Sequence, residues 1–212
     1  MPHRISIGFL LISVSLLGQD PNSCRSQHFG AVDLRKDQVI ASPNHTHRAV
    51  LGGYNENGES GRGWLQVFEG SKLVSKFVLK DLSAGLWLNW APDSDAFFLM
   101  WSDGGAIGNF HVRVFRVHRD RVVELPTMKV AEAEFAKKHS CDSRGNNVFA
   151  LRWFENSDSL LIASGVYDTS DCGKDMGLTK AYRVRTNDGT IIRRYSESET
   201  ESLIKACSPF MD

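Results

Sequence analysis

The segment Leu86–Ser102 constrains the fold more than any other part of the chain. Leu86, Leu88 and Trp90 alternate with Trp87 and Asn89, the two-residue period of a strand. Pro92 presets φ for a turn, and Asp93, Ser94 and Asp95 bond to nearby backbone and tolerate turn dihedrals. Ala96–Trp101 then runs without a polar break. Such a run suits a strand covered on both faces, and Phe97, Phe98 and Trp101 favour strand over a short buried helix. The segment is predicted to be a hairpin.

The pattern recurs. Leu151–Ser164 aligns without a gap on this hairpin, placing Trp153 63 residues after Trp90 and Asp158 under Asp95. Upstream, Val39–Asn44 followed by Arg48–Leu51 matches with Pro43 set 49 residues before Pro92. The likeness continues beyond the hairpins. Val112–Val117 parallels Thr179–Val184, Arg121–Glu124 parallels Thr190–Arg193, and Trp64–Phe68 with Lys72–Val74 take those places in the first copy. Three units are predicted, over about residues 36–84, 85–147 and 148–200. Each reads as strand, turn, strand, long loop, strand, turn, strand.

The unit resembles a blade of the WD40-like and TolB-like β-propellers, whose blades carry a Trp-x-Pro-Asp turn between the first two strands. Trp90-Ala91-Pro92-Asp93 matches that turn fully, Trp153-Phe154-Glu155-Asn156 keeps the Trp, and Ala41-Ser42-Pro43-Asn44 keeps the Pro and a turn-forming Asn. The resemblance covers roughly residues 38–195. It implies an all-β fold of three four-stranded, propeller-blade-like units. Propellers typically carry about 4–8 blades, so three units imply an open arc or half-propeller, or two copies closing a ring as a homodimer. A β-sandwich is the alternative fold.

The first 18 residues differ from the rest. His3 and Arg4 precede the apolar stretch Ile5–Leu17, which is too short to span a bilayer and fits the core of a signal peptide. Residues 1–18 are therefore expected to be a signal peptide and 19–212 a single β-rich domain, exported to the periplasm or secreted. Four cysteines without a Cys-x-x-Cys spacing agree with an oxidising compartment. Cys24–Cys207, near the two termini, and Cys141–Cys172 are the expected bridges among the three possible pairings. Asn44-His45-Thr46 is a glycosylation sequon on a turn. Two short helices are expected after the fourth strands of the second and third units. One has Met128, Ala131 and Phe135 on one face and Glu134 paired with Lys138. The other has a capping box at Ser198–Glu201 and a stop at Pro209.

Balanced charge, 25 basic against 25 acidic residues, excludes nucleic acid and anionic membrane as obvious partners. The long loops Gly52–Gly63, Ser102–Asn109 and Gly165–Gly177 would emerge on one rim. They carry Tyr54, Glu56, Glu59, Asp103, Tyr167, Asp168, Asp171 and Asp175, a set suited to a cationic or polyhydroxylated ligand or a protein or glycan partner. No catalytic residue and no cofactor are assigned. Asp168, Asp171, Gly173 and Asp175 have the oxygen ligands and sharp turn of a Ca2+ loop but lack the register and terminal Glu of an EF-hand. Gly53–Ser60 has Walker-like glycines with Glu59 where a phosphate-binding Lys must stand, which excludes it. His45 and His47, with His111 or His118, have the residue type but no fixed carboxylate for a metal site. There is no Gly-x-Ser-x-Gly elbow. The expected function is an exported, disulfide-bridged interaction module, accessory or inhibitor-like. The alternative is a small secreted hydrolase acting on glycan or peptide through Asp103, Asp168 and Asp171.

Overall fold

The computed structural model describes residues 30–32, 36–55, 61–82, 84–102, 109–139, 147–154, 156–167 and 172–207. The expected signal peptide, Cys24 and Cys141 lie outside these residues. The chain is mostly β, with three antiparallel sheets built from consecutive strands. The first contains β2 (Gln38–Ala41), β3 (His47–Asn55), β4 (Gly61–Glu69) and β5 (Lys72–Leu82) in that order. The second contains β6 (Ala84–Trp90), β7 (Ala96–Ser102), β8 (Phe110–Val117) and β9 (Val122–Leu125). The third contains β10 (Asn147–Phe154), β11 (Ser159–Gly165), β12 (Thr179–Arg185) and β13 (Ile191–Arg194). These are the three units read from the repeats. Strand β1 (Gly30–Val32), which no periodicity announced, adds to the second sheet beside β6. Among the described residues no sheet closes on itself.

The second sheet is buried on both faces, as its apolar run requires. Phe97, Leu99 and Trp101 of β7 pack with Leu51, Leu65, Val67 and Leu79 of the first sheet. Phe98 and Met100, pointing the other way, pack with Val148, Trp153, Leu160 and Ile162 of the third. Each such side chain withdrawn from water contributes roughly 1.5–3 kcal/mol, so β7 is the most heavily buried strand pattern alongside β11. Helix α1 (Thr127–Ala136) inserts Met128, Ala131 and Phe135 into the second cluster, on the face its sequence pattern assigned. Helix α2 (Glu197–Cys207) covers the far face of the third sheet, where Leu203, Ile204 and Cys207 meet Leu161, Ala163 and Ala181.

The turns after the first strands are tied to one another. Asp93 Oδ1 accepts from the Asp95 N–H at 3.1 Å, closing the predicted Pro-Asp turn. Its other oxygen accepts from the N–H and Oγ of Ser157 in the third unit, at 2.9 and 2.6 Å. Ser94, buried and with φ of 68°, accepts from the Asn44 N–H of the first unit at 3.1 Å. Tryptophans repeat the linkage inside the sheets. Trp90 Nε1 donates to the Ile40 carbonyl at 3.3 Å, and Trp153 Nε1 donates to the Asn89 carbonyl at 3.4 Å. Ile40 and Asn89 are 49 residues apart, the repeat offset itself.

Three expectations need correction. The first long loop is shorter than Gly52–Gly63, because β3 continues to Asn55 and β4 begins at Gly61. Gly52 and Gly53 sit in a bulge beneath Trp64: Gly53 has φ of 69°, and a Cβ there would fall 2.3 Å from the indole nitrogen. The second helix is capped by Ser196, not Ser198. The Glu199 N–H donates to Ser196 Oγ at 3.3 Å, and the Ser196 N–H donates to the Glu199 carboxylate at 2.7 Å, a capping box two residues early. Glu134 pairs with Lys137 and Arg194, each at 2.7 Å, instead of Lys138, and these bonds hold its carboxyl down to about 2.

Trp153 provides a direct test of the sheet-to-sheet linkage. Trp153→Phe retains most of the buried ring and deletes the donor, and is expected to cost about 1 kcal/mol in urea unfolding. Trp153→Ala should cost about 3–5 kcal/mol. Equal losses in the two variants would assign the whole effect to the indole bond, and no loss in Trp153→Phe would assign it all to packing.

Candidate functional site

A cavity lies beside the short β9. The strand pairs only with Val114–Val117, so on the side away from β7 the stretch of β8 at 110–113 has no partner strand among the described residues. The third unit has the same shortfall at β13, which pairs only from Tyr182 onward. There the gap is closed: the Tyr195 N–H donates to the Ala181 carbonyl at 3.0 Å, and the Ala181 N–H donates to Thr200 Oγ1 of α2 at 3.1 Å. In the second unit α1 stands beside the open edge, and a cavity of about 390 Å³ remains, lined by Trp101, Asn109, His111, Glu124, Lys129 and Glu132, with Phe110 and Met128. That volume is within the usual range of small-ligand sites, about 300–1,000 Å³.

Aromatic, cationic and acidic groups meet there. Trp101 and His111 are directly paired across β7 and β8 and stack at 5.4 Å. Arg113 holds Glu124 through two bonds, 3.1 and 2.6 Å, so that carboxylate is engaged. Glu132 is not. It accepts no hydrogen bond among the described residues, and burial raises its pKa against the opposing influence of His111 and Lys129. Among the described residues the buried indole Nε1 of Trp101 has no acceptor, unlike the donors of Trp90 and Trp153. A perturbed carboxyl in a cavity is a recognised mark of a functional site. The lining can donate and accept hydrogen bonds and present a ring face.

The residues singled out from sequence fare unevenly. Glu56, Glu59, Asp103, Asp168 and Asp171 lie outside the described residues, as does the side chain of Tyr54, whose backbone is on β3. Tyr167 is half-buried just after β11. Asp175 belongs to a single 3-10 turn, Gly173–Asp175, and its Oδ1 lies 3.2 Å from His139 Nδ1. It ties the third loop to the end of α1 rather than facing solvent as a ligand group. His45 and His47 sit at the turn end of the first sheet, where His47 stacks on Trp90 at 6.2 Å, while His111 lies at the opposite strand end. His118 follows β8 at the same turn end as His45 and His47, but among the described residues no three His, Cys, Asp or Glu side chains gather as a metal site. Trp90, Trp101 and Trp153 are core residues, and Trp64 lies on the outer face of the first sheet with Lys76 over its ring at 5.7 Å. Sequence reading missed Glu132 and Lys129, because on a helix pattern they look like ordinary solvated positions. Their signal is the short strand before the helix.

No family model, no curated protein and no solved structure matches this chain.

The folded state binds the Glu132 proton more tightly than the unfolded chain does. The resulting stability is fully present below the ordinary carboxylate range and is lost as pH rises through the raised pKa. Glu132→Gln should therefore raise the melting temperature near neutral pH, by about 1–3 °C. The gain should vanish below ~pH 4. Calorimetry across that range checks it, and a variant less stable than the parent at neutral pH would show that the carboxylate is paired.

Proposed function

We propose that this protein is an exported, disulfide-bridged binding module that takes up its ligand at the long-loop rim, in the cavity between β8, β9 and α1. The reading rests on one observation: Glu132 is half-buried in that cavity and accepts no hydrogen bond among the described residues. The ligand is a cationic or polyhydroxylated group, carried by a protein or glycan. Trp101, His111 and Lys129 supply the remaining contacts. The acidic loop residues Glu56, Glu59, Asp103, Asp168 and Asp171 belong to the same proposed face.

The three stacked units are proposed to form a propeller-like arc. The recurrence of the indole bond at the repeat offset supports it. Export is supported by the apolar leader and the cysteines. Neither Cys172 nor Cys207 is a free thiol, and Cys141–Cys172 with Cys24–Cys207 is the proposed pairing. The alternative is a small secreted hydrolase acting on glycan or peptide through the loop carboxylates Asp103, Asp168 and Asp171.

Mature chain from about residue 19, screened against glycan and peptide panels, is expected to bind without turnover. Glu132→Ala with Lys129→Ala should weaken that binding at least about tenfold, ~1.4 kcal/mol. Turnover abolished by Asp103→Ala, Asp168→Ala and Asp171→Ala together would replace the binding module by the hydrolase, and unchanged binding in the double variant would place the ligand elsewhere. Light scattering after gel filtration tests the arc separately. A dimer is the outcome expected if two arcs close a ring, and a monomer rules the closed ring out.

A further inference from the structure

The stretch of β8 beyond the end of β9 presents backbone as well as side chains, and the strand register shows which groups face outward. The Val117 N–H donates to the Asp95 carbonyl at 2.8 Å, toward β7, and the pairing continues without a bulge to Ser102↔Phe110. Hydrogen-bonded positions alternate along an antiparallel pair, so the odd-numbered residues of β8 bond to β7. The even-numbered ones turn their N–H and C=O groups the other way. Phe110 and Val114 follow that rule: the Phe110 N–H donates to Asn147 Oδ1 at 2.9 Å, and Val114 pairs with Leu125 of β9. Between them Val112 turns its N–H and C=O toward the cavity it helps to line, and among the described residues neither has a partner.

The third unit shows what such a position takes. Val112 lies opposite Met100 and Ala181 lies opposite Ala163, and Met100 and Ala163 are 63 residues apart, the offset of the hairpin repeat. Ala181 is thus the counterpart of Val112. Its carbonyl accepts from the Tyr195 N–H and its N–H donates to Thr200 Oγ1, so the chain after β13 supplies both partners. In the second unit the chain leaves instead: Pro126, at φ −78° and ψ 12°, turns it into α1 directly after Leu125. A backbone donor and acceptor without partners are costly, and a strand laid alongside removes that cost. Side chains of such a strand alternate between its two faces. The residue facing Val112 points with it toward Met128 of α1. Its neighbours point to the other side, where Trp101 and His111 stack and Glu132 lines the wall. Lys129 and His111 act on the Glu132 carboxylate through space, without a hydrogen bond among the described residues.

Resting on the reading of this cavity as the ligand site, we propose that its occupant is a short extended peptide segment that pairs with Val112 as an added strand and sets a Lys or Arg side chain against Glu132. Phe110, engaged by Asn147, and Leu125 of β9 bound the open stretch, so the paired segment is about three residues long. The two backbone bonds hold the peptide, and the carboxylate selects its side chain. A glycan carries hydroxyls but no N–H and C=O pair at strand spacing, which favours a peptide as the occupant.

The test titrates the full mature chain with the blocked tripeptide acetyl-Lys-Val-Lys-amide and follows amide exchange and binding by NMR. The Val112 amide is expected to exchange rapidly in the free protein and to slow at least about tenfold at saturating peptide. Methylating the central valine nitrogen, which removes the donor to the Val112 carbonyl, should weaken binding about tenfold. Replacing both lysines by norleucine should weaken it by a similar factor in the parent protein and by less in Glu132→Gln. A Val112 amide that exchanges as slowly as that of Val114 in the free chain would overturn the proposal, because its partner would then be the protein's own chain. Equal binding of the methylated peptide, or no saturable binding of the tripeptide, would overturn it too. If glycans then still bind through Glu132 and Lys129, the cavity remains the ligand site and only the peptide assignment falls. If they do not, both fall.

Discussion

The tryptophan N–H that reaches back into the preceding unit is the constraint on which the rest of this structure depends. A sheet face packed on another through apolar contacts alone can slide, because dispersion and burial have little directionality. The bonds from Trp90 to the Ile40 carbonyl and from Trp153 to the Asn89 carbonyl set the register of one sheet on the next. Both acceptors lie on the first strand of their unit, one position before the turn-flanking residue. The turn contacts, Asn44 to Ser94 and Asp93 to Ser157, repeat the constraint at the strand ends. Buried polar links of this kind are costly when broken singly.

The middle sheet bears the consequence. With Phe97, Phe98, Leu99 and Met100 all buried, β7 has no solvent side on which to place a polar group. Functional chemistry is therefore displaced to the strand ends and to the outer edge. That is where the cavity lies, beside the uncovered stretch of β8. The outer faces are managed differently. On the first sheet Arg48 lies 4.7 Å over Phe68 and Lys76 covers Trp64, and on the third Arg152 and Arg183 flank Phe154 at 4.0 and 4.4 Å. Charged groups there screen aromatic surface that the stack does not cover.

Much of the fold was legible because burial writes itself into sequence periodicity. The unbroken run at Ala96–Trp101 required two covered faces, and Pro92-Asp93 required a turn. The face Met128, Ala131, Phe135 required a helix packed on one side. What escaped lacks such a pattern. β1 is a short addition recognised only by its pairing with β6. The Ser196 cap and the Ser198 cap are alike in residue type, and only the geometry of the chain leaving β13 chooses between them. The cavity lies beside a strand that stops early, a property of lengths in three dimensions rather than of any one residue. Glu132 was thus unremarked in the sequence, whereas Asp175, prominent there as a loop acid, turns inward to His139.

Helix α2 gives the third sheet a different outer neighbour from the other two. In the first unit the position of Trp90 is taken by Ala41, which carries no indole to reach for an earlier sheet. At the other end the surface a fourth sheet would have occupied is filled by Leu203, Ile204 and Cys207, and the unpaired edge of β12 is closed by Thr200. Stacked repeats grow by offering each newcomer the same face, and they require a terminal unit that offers a different one. Here the amphipathic helix α2 offers that different face, so the outer face of the third sheet is packed by helix instead of by another sheet.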